Sequence, residues 1–236
     1  MTAIIVDVSA AQETITPAQW KAAAADGLAG AIVNLGTGET HASPTAQLHC
    51  DGVRGAGLPV GPYHVCTPSL AEGDALREAE KFVARREKHG PFTLKSSLDV
   101  EDAEALTPDQ LALWCITWGE NVAGGKHLLY CNKSVCRHLG RCNTRLLLRL
   151  AALFDLWLAG DNSSTPSPSP WARPALWQTP RRRVSWTRED IDINEAPEGV
   201  APLLAVAPAS STEDIGTLIG VLEGALGMAR RLRGAR

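Results

Sequence analysis

The stretch Leu98-Asp99-Val100-Glu101-Asp102 ends an apolar segment with three acidic residues in four positions. The segment before it, residues 92–98, is predicted as a strand, and a helix is predicted to begin shortly afterwards. Side chains two positions apart in a strand point to the same face. We therefore expect Asp99 and Glu101 to share one face, with Val100 in the opposite layer.

Two carboxylates on one face of a strand repel each other, which raises the pKa of one and leaves the other ionised. Cleavage of an acetal needs such a pair: the protonated group donates to the leaving oxygen, and the charged group stabilises the developing cation. The alternative is a solvated acidic strand end that only begins a loop. The short pattern Asp-x-Glu does not decide between these two interpretations.

The chain has 236 residues, of which 44% are hydrophobic and 21% are charged, a composition typical of globular proteins. This length suits one barrel-sized domain or two smaller ones. Residues 201–236 carry a net charge of +1 within a total of -3, so the first 200 residues carry -4. That balance argues against a nucleic-acid-binding surface on the main body.

No run of about 18 apolar residues occurs in the sequence, so no membrane-spanning segment is expected. The N-terminus also lacks a basic region followed by an apolar stretch and a small-residue cleavage site. It leads directly into Ala3–Val6, which is predicted as a strand, so no signal peptide is expected.

Six cysteines are scattered along the chain: Cys50, Cys66, Cys115, Cys131, Cys136 and Cys142. Without a predicted signal peptide, this distribution favours reduced, buried thiols over a disulfide framework. The potential metal ligands that lie close together in sequence are Cys131, Cys136, His138 and Cys142. Their spacing does not match the paired two-residue gaps of common zinc sites, so we predict no metal and no other cofactor.

One strand-helix unit repeats along the chain at steps of roughly 30 residues. The predicted strands end near six positions: Val8, Leu35, Val65, Val100, Cys131 and Ala159. Helices are predicted to start at Thr16-Pro17 and to cover residues 69–87, 108–122 and 145–153.

After Ala159 the spacing contracts. Residues 162–170 are predicted as a Ser/Pro-rich loop, and residues 174–178 and 191–194 as short strands. The chain between these strands is too short for a well-formed crossover helix. The prediction is therefore one eight-stranded α/β barrel of the TIM-barrel type over residues 1–195, with an incomplete helical ring, rather than an open doubly wound sheet.

Chemistry in such a barrel takes place at the carboxyl ends of the strands, where the strand-to-helix loops gather. Polar residues at predicted strand ends are Asp7, Asn34, His64, Asp99, Glu101, Asn132, Gln178, Asp192 and Asn194. A lone aspartate is more often a surface or capping residue. Four acids predicted at one mouth of the barrel, however, favour a functional site.

Seven motifs follow one another along residues 4–195: Asp7-Val8-Ser9 with Gln12, Gly61–Val65, Leu98–Glu101, Tyr130–Asn132, Leu156–Ala159, Trp177-Gln178 and Ile191–Asn194. Each is weak alone. In this order they resemble glycoside hydrolase family 25, the Chalaropsis-type lysozymes found among bacteriophage endolysins and bacterial muramidases.

The resemblance implies a flattened β/α barrel that cleaves the β-1,4 bond between N-acetylmuramic acid and N-acetylglucosamine in peptidoglycan. Glu101 matches the general acid/base, and Asp99 the carboxylate that assists the acetamido group or stabilises the oxocarbenium-like centre. Asp7 and Asp192 match two further acids of the cleft. We expect a pKa of Glu101 raised by Asp99 and by partial burial, and an ionised Asp99.

Tyr63 and Trp177 resemble aromatic residues that line the sugar groove. The remaining candidate substrate contacts are His64, Gln178 and Asn194. The second strand departs from the family pattern, because residues 34–38 lack the usual basic residue and Thr-Glu-Gly run. Since the four acids are present, this departure favours an altered substrate preference over lost chemistry.

Residues 196–236 lie outside the resemblance. Residues 197–208 are predicted as an extended linker, and residues 211–233 as an amphipathic helix. Three interpretations of this helix stay open: docking on the barrel, self-association, or contact of its arginine end with an anionic wall polymer or lipid. Deletion of residues 197–236 is predicted to leave a folded barrel.

The leading hypothesis is a muramidase of the phage endolysin type, which stays in the host cytoplasm until a separate membrane lesion releases it to the cell wall. Its partners would be peptidoglycan glycan strands, with no nucleic acid. The alternative is a non-catalytic wall-binding or virion structural protein on the same barrel, suggested by the altered second strand.

Overall fold

A computed structural model describes residues 2–12, 14–102, 105–160, 171–187 and 190–205. The strands are β1 Ala3–Val8, β2 Gly30–Thr37, β3 His41–Ala42, β4 Val60–Val65, β5 Ser97–Val100, β6 His127–Cys131, β7 Phe154–Ala159, β8 Leu176–Arg182 and β9 Ile191–Ala196. The α-helices are α1 Pro17–Ala25, α2 Ala46–Gly55, α3 Asp74–His89, α4 Pro108–Asn121, α5 Lys133–Leu139 and α6 Thr144–Leu153. The predicted loop at 162–170 and the predicted helix at 211–233 lie outside the described residues.

The sheet closes into a barrel of eight strands because β1 pairs with both β2 and β9. The short strand β3 pairs only with β2 and stays outside the ring. Neighbouring strands of the barrel are parallel except that β9 runs antiparallel to both β1 and β8. The predicted eight-stranded α/β barrel with an incomplete helical ring is confirmed: among the described residues, α-helices follow only the first five barrel strands.

Two helices begin with the signal that the sequence predicted. Thr16 and Thr107 each accept a hydrogen bond from the backbone three residues later, where a glutamine side chain reaches back to the threonine. A proline occupies the first turn of both helices. The starts of these two helices could therefore be predicted from local sequence alone.

Two predicted boundaries are wrong. The helix predicted from Ser69 begins at Asp74, because Gly73 has a φ of 70°, which no helical residue adopts, and the Asp74 carboxylate accepts the backbone N–H of Ser69. The strand predicted over residues 92–98 begins only at Ser97, because the N–H groups of Thr93 and Leu94 both donate to Val60 O.

Every second residue of a strand points into the barrel, and these inward-facing side chains form two levels along the strands. The lower level, which we call the floor, is apolar and consists of Ile5, Ile32, Leu94, Leu128, Leu176, Ala196 and Leu203. The upper level, which we call the mouth, is polar and carries Asp7, Asn34, Asp99, Tyr130, Gln178 and Asp192. Outward-facing residues of the same strands pack against the helices in a second, larger core.

The segment after β9 closes the floor. Ala201–Leu203 forms a 3₁₀ turn, and the Leu203 side chain is fully buried in the floor. Leu203 O accepts the N–H of Lys95, and Ala205 donates to Thr93 O, both at 2.9 Å. The extended linker predicted over residues 197–208 is therefore wrong for these residues, which belong to the barrel.

In the part of the chain that the structure describes, no helix has the length and apolar character to cross a membrane.

Candidate active site

A cavity of about 410 Å³ opens at the mouth, and each of the eight barrel strands contributes to its lining. The four acids predicted to meet there all line it: Asp7, Asp99, Glu101 and Asp192. The cavity lies at the carboxyl ends of the parallel strands, which is where barrel enzymes carry their active sites.

Asp192 reaches the mouth by a different route from the other acids. It lies at the start of β9, which is antiparallel, and it pairs in register with Asp7 near the end of β1. The prediction treated Asp192 as the end of a further strand. Its placement at the same mouth as Glu101 is correct, but the reversed strand direction is the reason.

Asp7 has a pKa raised from 3.8 to about 6. Burial is the largest cause and the charge of Asp192 adds to it, while hydrogen bonds from Asn194 and Gln178 oppose the rise. Both of these amides donate to the same atom, Asp7 Oδ2, at 2.7 Å from Asn194 Nδ2 and 3.2 Å from Gln178 Nε2. Asp7 is thus a buried acid whose pKa lies well above that of a free aspartate.

Asp99 is also buried, with 7% of its surface exposed. Its pKa lies well above the ordinary value, first because of burial and then because of the charges of Glu101 and Asp7. Its Oδ1 has no hydrogen-bond partner among the described residues. A buried oxygen without a donor makes the charged form of Asp99 costly.

The structure reverses the burial that was predicted for Asp99 and Glu101. We expected Glu101 to be the partly buried acid with the raised pKa and Asp99 to be ionised, whereas Asp99 is buried and Glu101 is exposed. The reason is the length of β5, which ends at Val100. Neighbouring strands cover Asp99, and Glu101 lies beyond their edge.

Arg181 brings a cation to the four acids. Its Nε donates to both carboxylate oxygens of Asp192, at 2.8 and 3.0 Å, and 59% of its side chain is exposed. Its charge lowers the pKa of Asp7 and so partly offsets the effect of burial. Sequence reasoning missed this residue, although the run Arg181-Arg182-Arg183 begins only three positions after the predicted strand at 174–178.

Three aromatic side chains line the cavity: Tyr63, Tyr130 and Trp157. The Trp157 ring lies edge to face against both tyrosines, with centroid distances of 4.9 Å to Tyr130 and 6.4 Å to Tyr63. Tyr63 was predicted here. Trp177 was also predicted, but it alternates with the inward-facing Leu176 and Gln178, and its Nε1 donates to Gly160 O outside the cavity.

Two further predicted substrate contacts do not face the cavity. His64 is fully buried on the outer side of β4, where its Nε2 lies 2.7 Å from Glu78 Oε2 and its ring stacks on Trp118. Asn194 is fully buried beneath Asp7. Of the five predicted contacts, Tyr63 and Gln178 line the cavity, and the other three do not.

Other residues that line the cavity were not singled out as contacts: Thr37, His41, Ser43, Tyr130, Trp157 and Arg181. Thr37 lies in the segment that departs from the family pattern, residues 34–38, and His41 and Ser43 follow it on β3 and in the chain just after. The altered second strand thus forms one wall of the cavity.

The candidate metal ligands lie away from the cavity. Cys131, Cys136 and Cys142 are free and buried, and His138 Nε2 lies 2.8 Å from Leu106 O. Within the described ranges, no group of three or more His, Cys, Asp or Glu side chains is arranged to hold a metal ion.

The sequence model of glycosyl hydrolases family 25 matches residues 6–183. The chain belongs to this family. It is a glycoside hydrolase, and the family and enzyme class predicted from the motifs are confirmed. No curated protein sequence matches this family 25 enzyme.

Solved structures with a similar fold include lytic enzymes of bacteria and phages. The Clostridium perfringens spore cortex lytic enzyme SleM shares 16% identity over 86% of this chain and 69% of its own, with a TM-score of 0.74. The bacterial lysozyme from Streptomyces coelicolor shares 21% identity over 85% of this chain and 94% of its own, with a TM-score of 0.69. The catalytic domain of endolysin ply40 from bacteriophage P40 of Listeria monocytogenes shares 22% identity over 84% of this chain and 94% of its own, with a TM-score of 0.65.

Proposed function

We propose that this family 25 enzyme is an N-acetylmuramidase, which cleaves the β-1,4 bond between N-acetylmuramic acid and N-acetylglucosamine in peptidoglycan. The observation that carries the proposal is the pair of Asp99 and Glu101 in a cavity whose walls include aromatic rings. A carboxyl pair of this kind serves glycoside cleavage, and aromatic rings suit the apolar faces of sugars. The lysozymes among the similar structures support the choice of substrate.

Glu101 serves as the general acid and base in this proposal. Because it is exposed at the cavity, it can reach a glycosidic oxygen of a bound glycan and exchange its proton with water. Asp99 holds the acetamido group of the sugar in the cleft. Its side chain lines the cavity, where the carboxyl can accept the N–H of that group.

Asp7 and Asp192 set the charge around the catalytic pair. The charge of Asp7 is one of the causes that raise the pKa of Asp99, and Asp192 in turn raises that of Asp7. Arg181 pairs with Asp192 and limits the negative charge at the mouth. We assign these three residues to tuning the catalytic pair rather than to direct proton transfer.

The test is the identity of the sugar ends released from purified peptidoglycan. The products are reduced with borohydride, so that cleavage on the predicted side yields muramitol. We expect muramitol from the wild-type enzyme, and from Glu101→Gln a rate lower by at least about a hundredfold. That variant should still sediment with the walls. Glucosaminitol as the only product would show a glucosaminidase instead.

The non-catalytic alternative was suggested by the altered second strand. It predicts that the wild-type chain sediments with walls but releases no sugar ends. The four acids in one cavity favour the enzyme, because that strand changes the cavity wall and leaves each acid in place.

The finer proposal is a bacteriophage endolysin that acts at the cell wall after a membrane lesion. The phage endolysin domain among the similar structures supports it. In a bacterium with a susceptible wall, we expect cytoplasmic expression to leave cells intact until the membrane is permeabilised. The Glu101→Gln variant should give no lysis after the same treatment.

A further inference from the structure

Two hydrogen-bonded arms connect aromatic residues at the cavity to Asp7. In the first, Trp157 Nε1 donates to Asn194 Oδ1 at 2.8 Å, and Asn194 Nδ2 donates to Asp7 Oδ2 at 2.7 Å. In the second, the Tyr130 hydroxyl donates to Gln178 Oε1 at 2.9 Å, and Gln178 Nε2 donates to Asp7 Oδ2 at 3.2 Å. Both arms end on the same carboxylate oxygen.

The two arms differ in how firmly they fix their amide. An indole N–H can only donate, so only the carbonyl oxygen of Asn194 can face Trp157, and its NH₂ group must then face Asp7. A phenolic hydroxyl can donate or accept, so Gln178 can rotate while Tyr130 reverses its hydrogen bond. The orientation of Asn194 is therefore set by Trp157, and that of Gln178 is adaptable.

A proton on Oδ2 of Asp7 that points at the NH₂ group of Asn194 would place two donors against each other. Rotation of Asn194 would relieve this contact only by turning its NH₂ group toward the indole N–H. Trp157 and Asn194 are both buried, with 2% and 0% of their surfaces exposed. Trp157 is also packed against Tyr63 and Tyr130. No rearrangement within the arm accommodates the proton at that oxygen.

We propose that Trp157 is a positioning residue, which fixes Asn194 as a hydrogen-bond donor to Oδ2 of Asp7, so that only Gln178 can turn an acceptor toward a proton on Oδ2 and Asn194 always favours the charged carboxylate. The inference rests on the proposed function, in which Asp7 tunes the catalytic pair. It assigns a role to a tryptophan of the family motif Leu156–Ala159.

The test is the titration of the Asp7 carboxyl in Trp157→Phe, followed by ¹³C NMR in the full-length protein and assigned with Asp7→Asn. The variant lets Asn194 rotate, so that its oxygen accepts a hydrogen bond from a protonated Oδ2 and stabilises the protonated state. Since one hydrogen bond contributes about 1 kcal/mol, we expect the midpoint to rise by about 0.5 to 1 pH unit above the wild-type value.

The other titratable and charged groups that face Asp7 keep their chemical identity in this variant. They come from five strands and are Asp192, Asp99, Arg181, Tyr63 and Tyr130.

The matched control is Trp171→Phe. Trp171 is a buried tryptophan whose Nε1 donates one hydrogen bond, to Phe154 O at 2.9 Å, outside both arms. Its loss should lower stability in the same way as the loss of the Trp157 bond, with the Asp7 midpoint unchanged. A purely structural role for Trp157 predicts an unchanged midpoint in both variants, and that result overturns the proposal.

Should Trp157→Phe not fold, benzothienylalanine at position 157 gives the same test, since it has the shape of tryptophan with sulfur in place of the N–H. An unshifted midpoint with this residue also overturns the proposal. The titration needs no substrate. A shifted midpoint in a protein that releases no sugar from walls would refute the proposed function and leave this inference standing.

Discussion

The mouth and the floor of the barrel are built by the same strands but have opposite chemistry. On four strands an apolar floor residue lies two positions before a polar residue of the mouth: Ile5 and Asp7, Ile32 and Asn34, Leu128 and Tyr130, Leu176 and Gln178. Two residues of strand span about 7 Å. Over that distance the barrel interior changes from a region that stabilises the fold to one that is suited to catalysis.

Charged groups show the same contrast. Near the floor, Lys95 and Lys126 donate to the two oxygens of Asp155, at 2.8 and 2.6 Å. Burial acts to raise the pKa of Asp155, but the hydrogen bonds from the two lysines outweigh it and the pKa is lowered. At the mouth, burial and like charges raise the pKa of Asp7 and Asp99. The carboxylate near the floor is paired with opposite charges, whereas the mouth brings like charges together.

The largest expected effect concerns the floor. A chain that ends at residue 196 loses the buried Leu203 and the backbone hydrogen bonds of residues 203–205, which a chain that ends at residue 205 keeps. We expect the shorter chain to be less stable by about 3 to 5 kcal/mol, in the range measured for large losses from a core. Denaturant unfolding of the two proteins measures the difference. Equal stabilities would show that the floor is complete without this segment.

The next largest effect concerns the mouth. Glu101→Gln should lower the rate of wall hydrolysis by at least about a hundredfold, or about 2.7 kcal/mol. Because Glu101 is exposed, the free energy of unfolding of the Glu101→Gln protein should differ from that of the wild type by less than about 0.5 kcal/mol. Leu203→Ala is the matched floor variant and should lose stability while keeping its rate at moderate temperature. If Glu101→Gln lost stability and Leu203→Ala lost rate, the division between mouth and floor would be wrong.

Much of this contrast could be predicted from the sequence, because alternation along a strand and strand-end position are local properties. The four acids and Gln178 were placed at the mouth in this way, whereas Tyr63 was assigned through the family resemblance. The same rule, applied to Trp177 and His64, places them on the outer face, since each directly adjoins an inward-facing residue. Trp177 was assigned through the family resemblance and His64 from its strand-end position, in both cases without regard to the alternation, and neither lines the cavity.

Other features depend on tertiary packing. The reversal of β9 follows from its short connection to β8, which suits antiparallel neighbours and is too short for a parallel crossover. The burial of Asp99 rather than Glu101 depends on where β5 ends, a difference of one residue. The packing of Leu203 into the floor is not visible in a segment whose prolines resemble a linker.

The central claim is that the mouth gathers acids at a cost in stability, and Asp7→Asn tests it most directly. The asparagine oxygen can still accept from Asn194 and Gln178, while the repulsion from Asp192 is removed. Because the pKa of Asp7 is raised to about 6, the native protein holds this proton more tightly than the unfolded chain, and wild-type stability falls as pH rises from about 4 to about 6.

The measurement is the free energy of unfolding of Asp7→Asn and of the wild type between pH 4 and pH 7. We expect near-equal stabilities at pH 4 and an advantage for Asp7→Asn that grows to about 1 to 3 kcal/mol at pH 7. A difference that does not depend on pH, or a wild type that is the more stable protein at pH 7, would contradict the claim.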